Sequence, residues 1–575
     1  MMPTPCRRQA RRWFLTASAI VLCGLVTDKS WSQEKKPVAE SPRAMVASVH
    51  PLATQAGLDA LRAGGNAVDA AIATALTLGV VDGHNSGIGG GALVLIRTPD
   101  GKFHALDGRE MAPGAARRDM YIQQGKLNPE ASQTGPLAVA VPGAVAVYSQ
   151  AVREYGKLPM ARLWVPAAKL AEDGFAIDRV YAGKLAASAR TIRRFEATRA
   201  ILLKADGEPY REGETLRQPD LAKTYRALAE QGSDWFYRGE FARQVGDWMQ
   251  REGGIITADD FAAYEVRRRE PIATTYRGHQ VVSFPPPSSG GVHIAQMLHM
   301  LEARAPRLKE LDEPTRIHWV AETMKRAFAD RAFWLGDPDF ARVPRGLLDR
   351  DYAAKLAASI DAERATTVAG HGQPPQADEA AFEKHTTHVA AADADGYWVA
   401  LTTTVNTTFG SKVIVPGTGV ILNNEMDDFS IQPGVPNAFG LLGAEANAIQ
   451  SRKRPLSSMS PTMVLREGKP VMTVGAAGGP TIISQVLLAL IRRIDLELPL
   501  NACLAEPRFH HQWSPDELRV ESSLSSATRQ ALRNRGHSLK EVSGLGVSQA
   551  IIWDESRGVF QGAHDPRVPG LAAGP

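Results

Sequence analysis

From Met45 onward the chain alternates short apolar strands with helical stretches, shows no internal repeat, and is interrupted once by a long polar segment that runs directly into a β-hairpin. That order confines it to a mixed α/β fold. Met45-Val46-Ala47-Ser48-Val49 reads as a strand. Ala67 to Val80 carries apolar residues at helical spacing behind Gly64-Gly65-Asn66, so a buried helix is expected. The glycines of Gly87 to Gly91 end it, and Ala92-Leu93-Val94-Leu95-Ile96 is a fully apolar strand turned by Pro99-Asp100-Gly101. Ile317, Val320, Ala321, Met324, Ala327 and Phe328 make the stripe of a further helix that stops before Gly336-Asp337-Pro338.

The polar segment, Gly370 to His385, holds Pro374 and Pro375 and little apolar periodicity, so it reads as an exposed loop. Beyond it Thr386 to Ala392 is strand-like, Asp393-Ala394-Asp395-Gly396 is a turn, and Tyr397 to Asn406 is a second strand rich in β-branched residues. A hairpin loop of two to four residues sets Thr386 opposite residue 405, 404 or 403. Alternation along the strand puts Thr404 and Asn406 on one face.

A threonine hydroxyl is a weak nucleophile at neutral pH and needs a base beside it. Cutting the chain between His385 and Thr386 would free an α-amino group, with an ordinary pKa of roughly 7.7–8.0, on the same residue. An intact amide nitrogen cannot act as that base. Precursor cleavage is thus the expected activating step.

The net charge of +4 is local. Residues 1–32 hold Arg7, Arg8, Arg11, Arg12 and Lys29 against Asp28; they take five of the 66 basic and one of the 62 acidic residues, leaving 61 of each. A neutral remainder gives no support for nucleic-acid binding. The front segment, with an apolar run from Trp13 to Val26 and Ser30-Trp31-Ser32 as a small-x-small site, reads as a secretory signal peptide over 1–32. Arg11-Arg12-Trp13-Phe14-Leu15 resembles a twin-arginine motif. No later run reaches the roughly 18–20 apolar residues a membrane span needs, so a periplasmic or secreted protein without an anchor is expected. Of three cysteines, Cys6 and Cys23 leave with the signal. Cys503 is then alone and reads as a small buried helix residue, which excludes an intramolecular disulfide and a thiolate metal cage.

Three other motifs fail on context. Gly87-Ile88-Gly89-Gly90-Gly91-Ala92 follows a helix and precedes a strand, the reverse of a dinucleotide fingerprint. Gly546-Val547-Ser548-Gln549-Ala550 runs into the strand Ile551-Ile552-Trp553, where a nucleophile elbow needs a helix. His385-Thr386-Thr387-His388 on a strand would point its histidines to opposite sides, and no HExxH pattern accompanies these or His510-His511, so paired surface or packing histidines are expected.

Several longer motifs carry a resemblance. Gly64 to Ala71, Arg109-Glu110-Met111-Ala112-Pro113, Pro285 to Gly291, Thr386-Thr387-His388, Asn406 to Gly410, Leu422 to Phe429, Arg454 to Pro461 and Pro507 to Trp513 closely resemble the γ-glutamyltranspeptidase (glutathione hydrolase) family. The resemblance runs in order from about Met45 to Pro566. It implies a four-layer αββα sandwich of the N-terminal nucleophile hydrolase type, made as a proenzyme and self-cleaved into two subunits. Those subunits would be 33–385 (353 residues) and 386–575 (190 residues), with His385 and Thr386 flanking the processing site. Length alone suggests roughly three to five domains.

By the same resemblance, Thr386 is the nucleophile, Thr404 orients it, and Gly478 and Gly479 form the oxyanion hole. Arg109, Ser457 and Ser458 match a clamp for the γ-glutamyl α-carboxylate, and a guanidinium fork suits that anion. Asn406, Glu425 and Asp428 match the group that takes the α-ammonium. Glu425 stands where members carry Gln or Glu, and Phe439 stands at a lid position where some carry Tyr, so a looser or differently gated lid is expected. The implied activity is γ-glutamyl transfer and hydrolysis on glutathione and related compounds, with amino acids or dipeptides as acceptors and no metal or organic cofactor. The alternatives are an acylase for glutaryl or β-lactam side chains, which retention of Asp428 disfavours, and an inactive secreted binding protein. Residues 567–575 read as a flexible tail.

Overall fold

Two seven-stranded antiparallel sheets lie back to back in the computed structural model, which describes residues 38–375 and 388–575. The first runs, edge to edge, Leu571–Ala573, Ala44–Ser48, His388–Asp393, Trp398–Thr404, Gly91–Arg97, Phe103–Gly108 and Arg267–Arg269. The second runs Ala39–Ser41, Val559–His564, Val547–Asp554, Lys469–Ala477, Thr462–Arg466, His279–Ser283 and Ile272–Tyr276.

Side-chain alternation explains why the central strands are apolar throughout rather than every second residue. Met45, Ala47, Leu93, Leu95, Ala390, Ala392 and Ala400 point between the sheets, where they meet Phe284, Met463, Leu465, Ile551 and Phe560. Their neighbours Val46, Val94, Ile96, Val389, Ala391, Val399 and Leu401 point the other way, into a layer of helices. Pro51–Arg62, Ala67–Val81 and Ala144–Tyr155 form that layer. On the far side Ser289–Arg304 and Thr481–Ile494 cover the second sheet, with Glu313–Trp334 packed on the first of these helices. The order is helices, sheet, sheet, helices, the expected αββα sandwich. All described residues fall in one compact unit, so the length does not correspond to several independent domains.

The buried helix expected at 67–80 is Ala67–Val81. Asn66 caps it, its side chain accepting from the Val68 and Asp69 amides while the Asp69 carboxylate accepts from the Asn66 amide. Every residue of this helix is buried, and each large apolar side chain such as Ile72 or Leu76 contributes on the order of 1.5–3 kcal/mol by leaving water.

Two expectations are corrected. The end of the chain is no loose tail, because Leu571–Ala573 pairs with Ala44–Ser48 and the Ser41 hydroxyl donates to the Pro575 carbonyl at 3.0 Å. The second hairpin strand ends at Thr404, not Asn406. Val405 leaves the ladder by donating to the Asn85 carbonyl, and Asn406 adopts a left-handed φ of 75°, so alternation does not extend to it. Cys503 is buried on the helix Leu500–Ala505 as expected, and burial pushes its thiol up to about 11. The signal segment, all of it within residues 1–37, and the processing pair His385 and Thr386 lie outside the described residues, as does most of the polar segment.

Candidate active site

The hairpin fixes one wall of the site. His388 pairs with Thr402 and Ala392 with Trp398, and the ladder closes through Asp393 and Tyr397 over a three-residue loop. Even-numbered side chains of both strands face the gap between the sheets. His388 lies there against Gly475 of the opposite sheet, where a Cβ would collide with its ring, and its Nδ1 is 3.3 Å from Thr402 Oγ1. Burial pushes this imidazole down to about 3, so it stays neutral and is a poor base.

Thr404 ends the strand opposite Gly91, buried, with its Oγ1 accepting the Asn406 amide at 2.7 Å. The glycine run at 89–91, which fails as a nucleotide motif, has a different purpose here. A Cβ on Gly90 would collide with the Thr404 carbonyl, and one on Gly89 with the Ile421 carbonyl, so these glycines let two backbones approach the loop that precedes the strand. Asn406 donates from Nδ2 to the Asn424 carbonyl at 3.0 Å.

Opposite, Gly478 and Gly479 form the turn between the strand Lys469–Ala477 and the helix Thr481–Ile494. Their φ angles are 135° and 59°, a sequence of conformations that suits glycine. Neither amide N–H donates to any group among the described residues. Two adjacent free donors at a helix N-terminus make a seat for negative charge.

The third element is a buried charge cluster. Arg109 follows the strand Phe103–Gly108 and is fully enclosed, its carbonyl accepting from Tyr264 Oη at 2.6 Å and its Nε donating to the Pro455 carbonyl at 3.3 Å. Nη1 lies 3.1 Å from Glu110 Oε2 and 2.7 Å from Glu425 Oε2, and Nη2 lies 2.8 Å from Asp428 Oδ2. Glu425–Asp428 is a single 3₁₀ turn, in which residues three apart eclipse, so both acids project the same way. Burial pulls the Arg109 pKa down, but Glu425, Glu110 and Asp428 together outweigh it and hold the guanidinium charged. Burial raises Glu110 to about 7 against the pull of Arg109. Burial, with repulsion from Glu110 and Asp428, holds Glu425 well above the carboxylate range despite Arg109.

Ser457 and Ser458 are buried, and Ser457 Oγ has no hydrogen-bond partner among the described residues. The Pro285 to Gly291 motif holds them: the Ser457 amide donates to the Pro287 carbonyl at 2.9 Å, and Ser289 donates to the Ser457 carbonyl from N at 3.1 Å and from Oγ at 2.8 Å.

The segment around Phe439, the lid position of the resemblance, is tied down by its neighbours. Asn437 Oδ1 accepts from the Phe439 and Leu441 amides, Asp427 Oδ2 accepts from Ala438 at 2.8 Å, and Gln512 Nε2 donates to the Gly440 carbonyl at 3.0 Å. The Phe439 ring packs on Gly479. Backbone ties from three side chains hold this segment, and Phe439 offers no hydroxyl to add to them.

Two further charged residues join the site. Glu110 lies within a motif of the resemblance and meets Arg109 directly. Arg331 continues the apolar stripe of Glu313–Trp334 one turn past Phe328; it is buried, donates from Nε to Ser289 Oγ at 3.3 Å, and burial lowers it to about 10 despite Asp428. A charge in register with an apolar stripe was the available signal.

Among the described residues, His318, Glu322 and His537 bring ligand-type atoms within 4.8 Å of one another. They are already engaged: His318 Nδ1 and His537 Nε2 share a hydrogen bond at 2.9 Å, and Glu322 pairs with Arg326 and Lys325. His510 and His511 are packing histidines, bonded to Ser484 and Asp516. Ser548 is buried within a strand, as its context required.

Residues 53–574 match the family model described as gamma-glutamyltranspeptidase. The glutathione hydrolase proenzyme of Escherichia coli (strain K12) is 44% identical over 538 residues, covering 92% of this chain and 91% of that protein. Among solved structures, a cephalosporin acylase from Bacillus halodurans superposes with a TM-score of 0.84 at 31% identity, covering 94% of this chain and 97% of its own. Helicobacter pylori gamma-glutamyltranspeptidase does so with a TM-score of 0.54 at 37% identity, covering 56% and 92% respectively.

Proposed function

The chain belongs to the γ-glutamyltranspeptidase family of N-terminal nucleophile hydrolases, and on that premise we propose how its residues divide the work. It is a self-processing γ-glutamyl transferase and glutathione hydrolase. Cleavage between His385 and Thr386 divides it into 33–385 and 386–575 and frees the Thr386 amine. That amine takes the proton from Oγ as Oγ attacks the γ-glutamyl carbonyl, then passes it to the departing amine. An ester links substrate and Thr386 until water, or the amine of an amino acid or dipeptide, resolves it.

The register supports this role for Thr386. Thr404 ends the strand that pairs with His388–Asp393, and that partner strand begins two positions after 386 in the sequence. The low basicity of His388 supports the amine as the base. Gly478 and Gly479 offer N–H groups to the oxyanion of each tetrahedral intermediate. Arg109, Ser457 and Ser458 take the α-carboxylate; Glu425, Asp428 and Asn406 take the α-ammonium.

The observation that carries the choice of a γ-glutamyl donor is the set of acids around Arg109, since three buried acids outnumber that one cation and suit a ligand that brings an α-ammonium. The acylase alternative has a structural neighbour in its favour, and anilide kinetics separate the two. Faster turnover of γ-glutamyl-p-nitroanilide than of glutaryl-p-nitroanilide is expected, and the reverse preference overturns the reading.

No helix among the described residues is long and apolar enough to cross a membrane. With the leader at 1–32, export to the periplasm or exterior follows, where glutathione and other γ-glutamyl compounds are the donors.

A further inference from the structure

Arg109 Nη1 is claimed by two carboxylates at once, Glu110 at 3.1 Å and Glu425 at 2.7 Å, in a site with no exposure to water. Among the described residues, neither Glu425 oxygen accepts a hydrogen bond beyond the Arg109 ion pair, and Glu110 Oε1 accepts none. Asp428 already occupies Nη2. Three negative charges around one guanidinium leave an excess that burial makes costly, and a proton relieves it most directly.

We propose that Glu110 and Glu425 act as a carboxylic acid–carboxylate pair bridged by Arg109, which holds one proton in the empty site and gives it up when the donor's α-ammonium binds, so that Glu110 helps specify ammonium-bearing donors. This rests on the γ-glutamyl reading above. The exchange balances: one ammonium cation enters, one proton leaves to solvent, and Arg109 stays charged. Among the described residues, the other charged or titratable groups around the pair are Asp428 on its own turn, Arg331 beside Asp428, the Arg454–Asp107 ion pair behind Tyr264, and Tyr148, Tyr237 and Tyr264, whose phenols burial holds neutral. The raised position of Glu110, near 7, puts the exchange in an accessible range.

The chain differs here from relatives with Gln at 425, because an amide cannot hold the shared proton. A donor analogue with the ammonium should therefore bind better as pH rises, and one without it should not.

The test uses processed wild-type enzyme and its Glu425→Gln variant, with L-glutamate and glutarate as competitive inhibitors of γ-glutamyl-p-nitroanilide hydrolysis between pH 5.5 and 8.5. For the wild type the Ki of L-glutamate should fall up to about tenfold per pH unit below about pH 7 and then level off, the slope of one linked proton. Glutarate should lack that fall, and Glu425→Gln should flatten it. Calorimetry of L-glutamate binding to the wild type at pH 6, in two buffers of different ionisation enthalpy, should show about one proton released, and this needs no variant. Equal slopes for both ligands, an unchanged slope in Glu425→Gln, or no proton release overturns the proposal while the anilide is still turned over. Loss of the γ-glutamyl reading itself would show separately, as a wild type that prefers the glutaryl anilide.

Discussion

The ring of Phe439 rests on the backbone of Gly479, so closely that a Cβ built on the glycine would stand 2.8 Å from the ring's Cδ1. The residue assigned to the oxyanion hole and the lid above it are thus one packed unit.

Gly479→Ala should therefore lower kcat by about 10²–10³, the effect of spoiling an oxyanion donor, with less change in KM. The residue carries a φ of 59° as well as the ring contact. Phe439→Ala in the same background separates these causes: recovery of part of kcat identifies the ring contact, and none identifies the backbone. Steady-state kinetics on processed protein provide the measurement.

Arg109→Ala should do more than weaken donor binding. It leaves Glu110, Glu425 and Asp428 buried without their cation, which destabilises a fold by about 3–5 kcal/mol. Arg109→Lys keeps the charge but not the fork that reaches three acids, so it should fold, melt a few degrees lower, and raise KM strongly. A thermal melt beside KM for both variants checks this. Equal stability of Arg109→Ala and wild type would contradict the geometry.

Legibility in the sequence followed how local each signal was. The helix at 67–81 was readable because its cap and its apolar run are contiguous. The hairpin was readable because a short turn fixes its register to within one residue. The final strand Leu571–Ala573 was missed because it is short and small-residue rich and gains its place only by pairing with Ala44–Ser48, more than 500 residues away in sequence. The departure of Asn406 from the strand depends on a carbonyl supplied by Asn85, again from a distant loop. Thr404, Arg109 and Asp428 entered through motif resemblance, while the meeting of Glu110 with Glu425 across Arg109 belongs to tertiary packing that no local spacing encodes.

Acid should destabilise the protein through its buried imidazoles. Burial lowers His84, His388, His510 and His537 to about 3, against an ordinary value near 6.5. The unfolded chain binds protons first, so the stability these groups contribute is present above about pH 6.5 and is lost as pH falls toward 3. Each contributes on the order of a few kcal/mol. The melting temperature should drop steeply between pH 6.5 and 4, and His388→Gln should make that drop shallower. A melting temperature flat across this range would contradict the burial argument.

The central claim is that Thr386 becomes a nucleophile only when the chain is cut in front of it. A denaturing gel of purified wild type beside Thr386→Ala, with N-terminal sequencing of the smaller band, tests it most directly. The expected result is two wild-type bands, of about 353 and 190 residues, the smaller beginning Thr-Thr-His-Val, and one uncut, inactive band for Thr386→Ala. A wild type that remains a single chain yet is fully active would contradict the account.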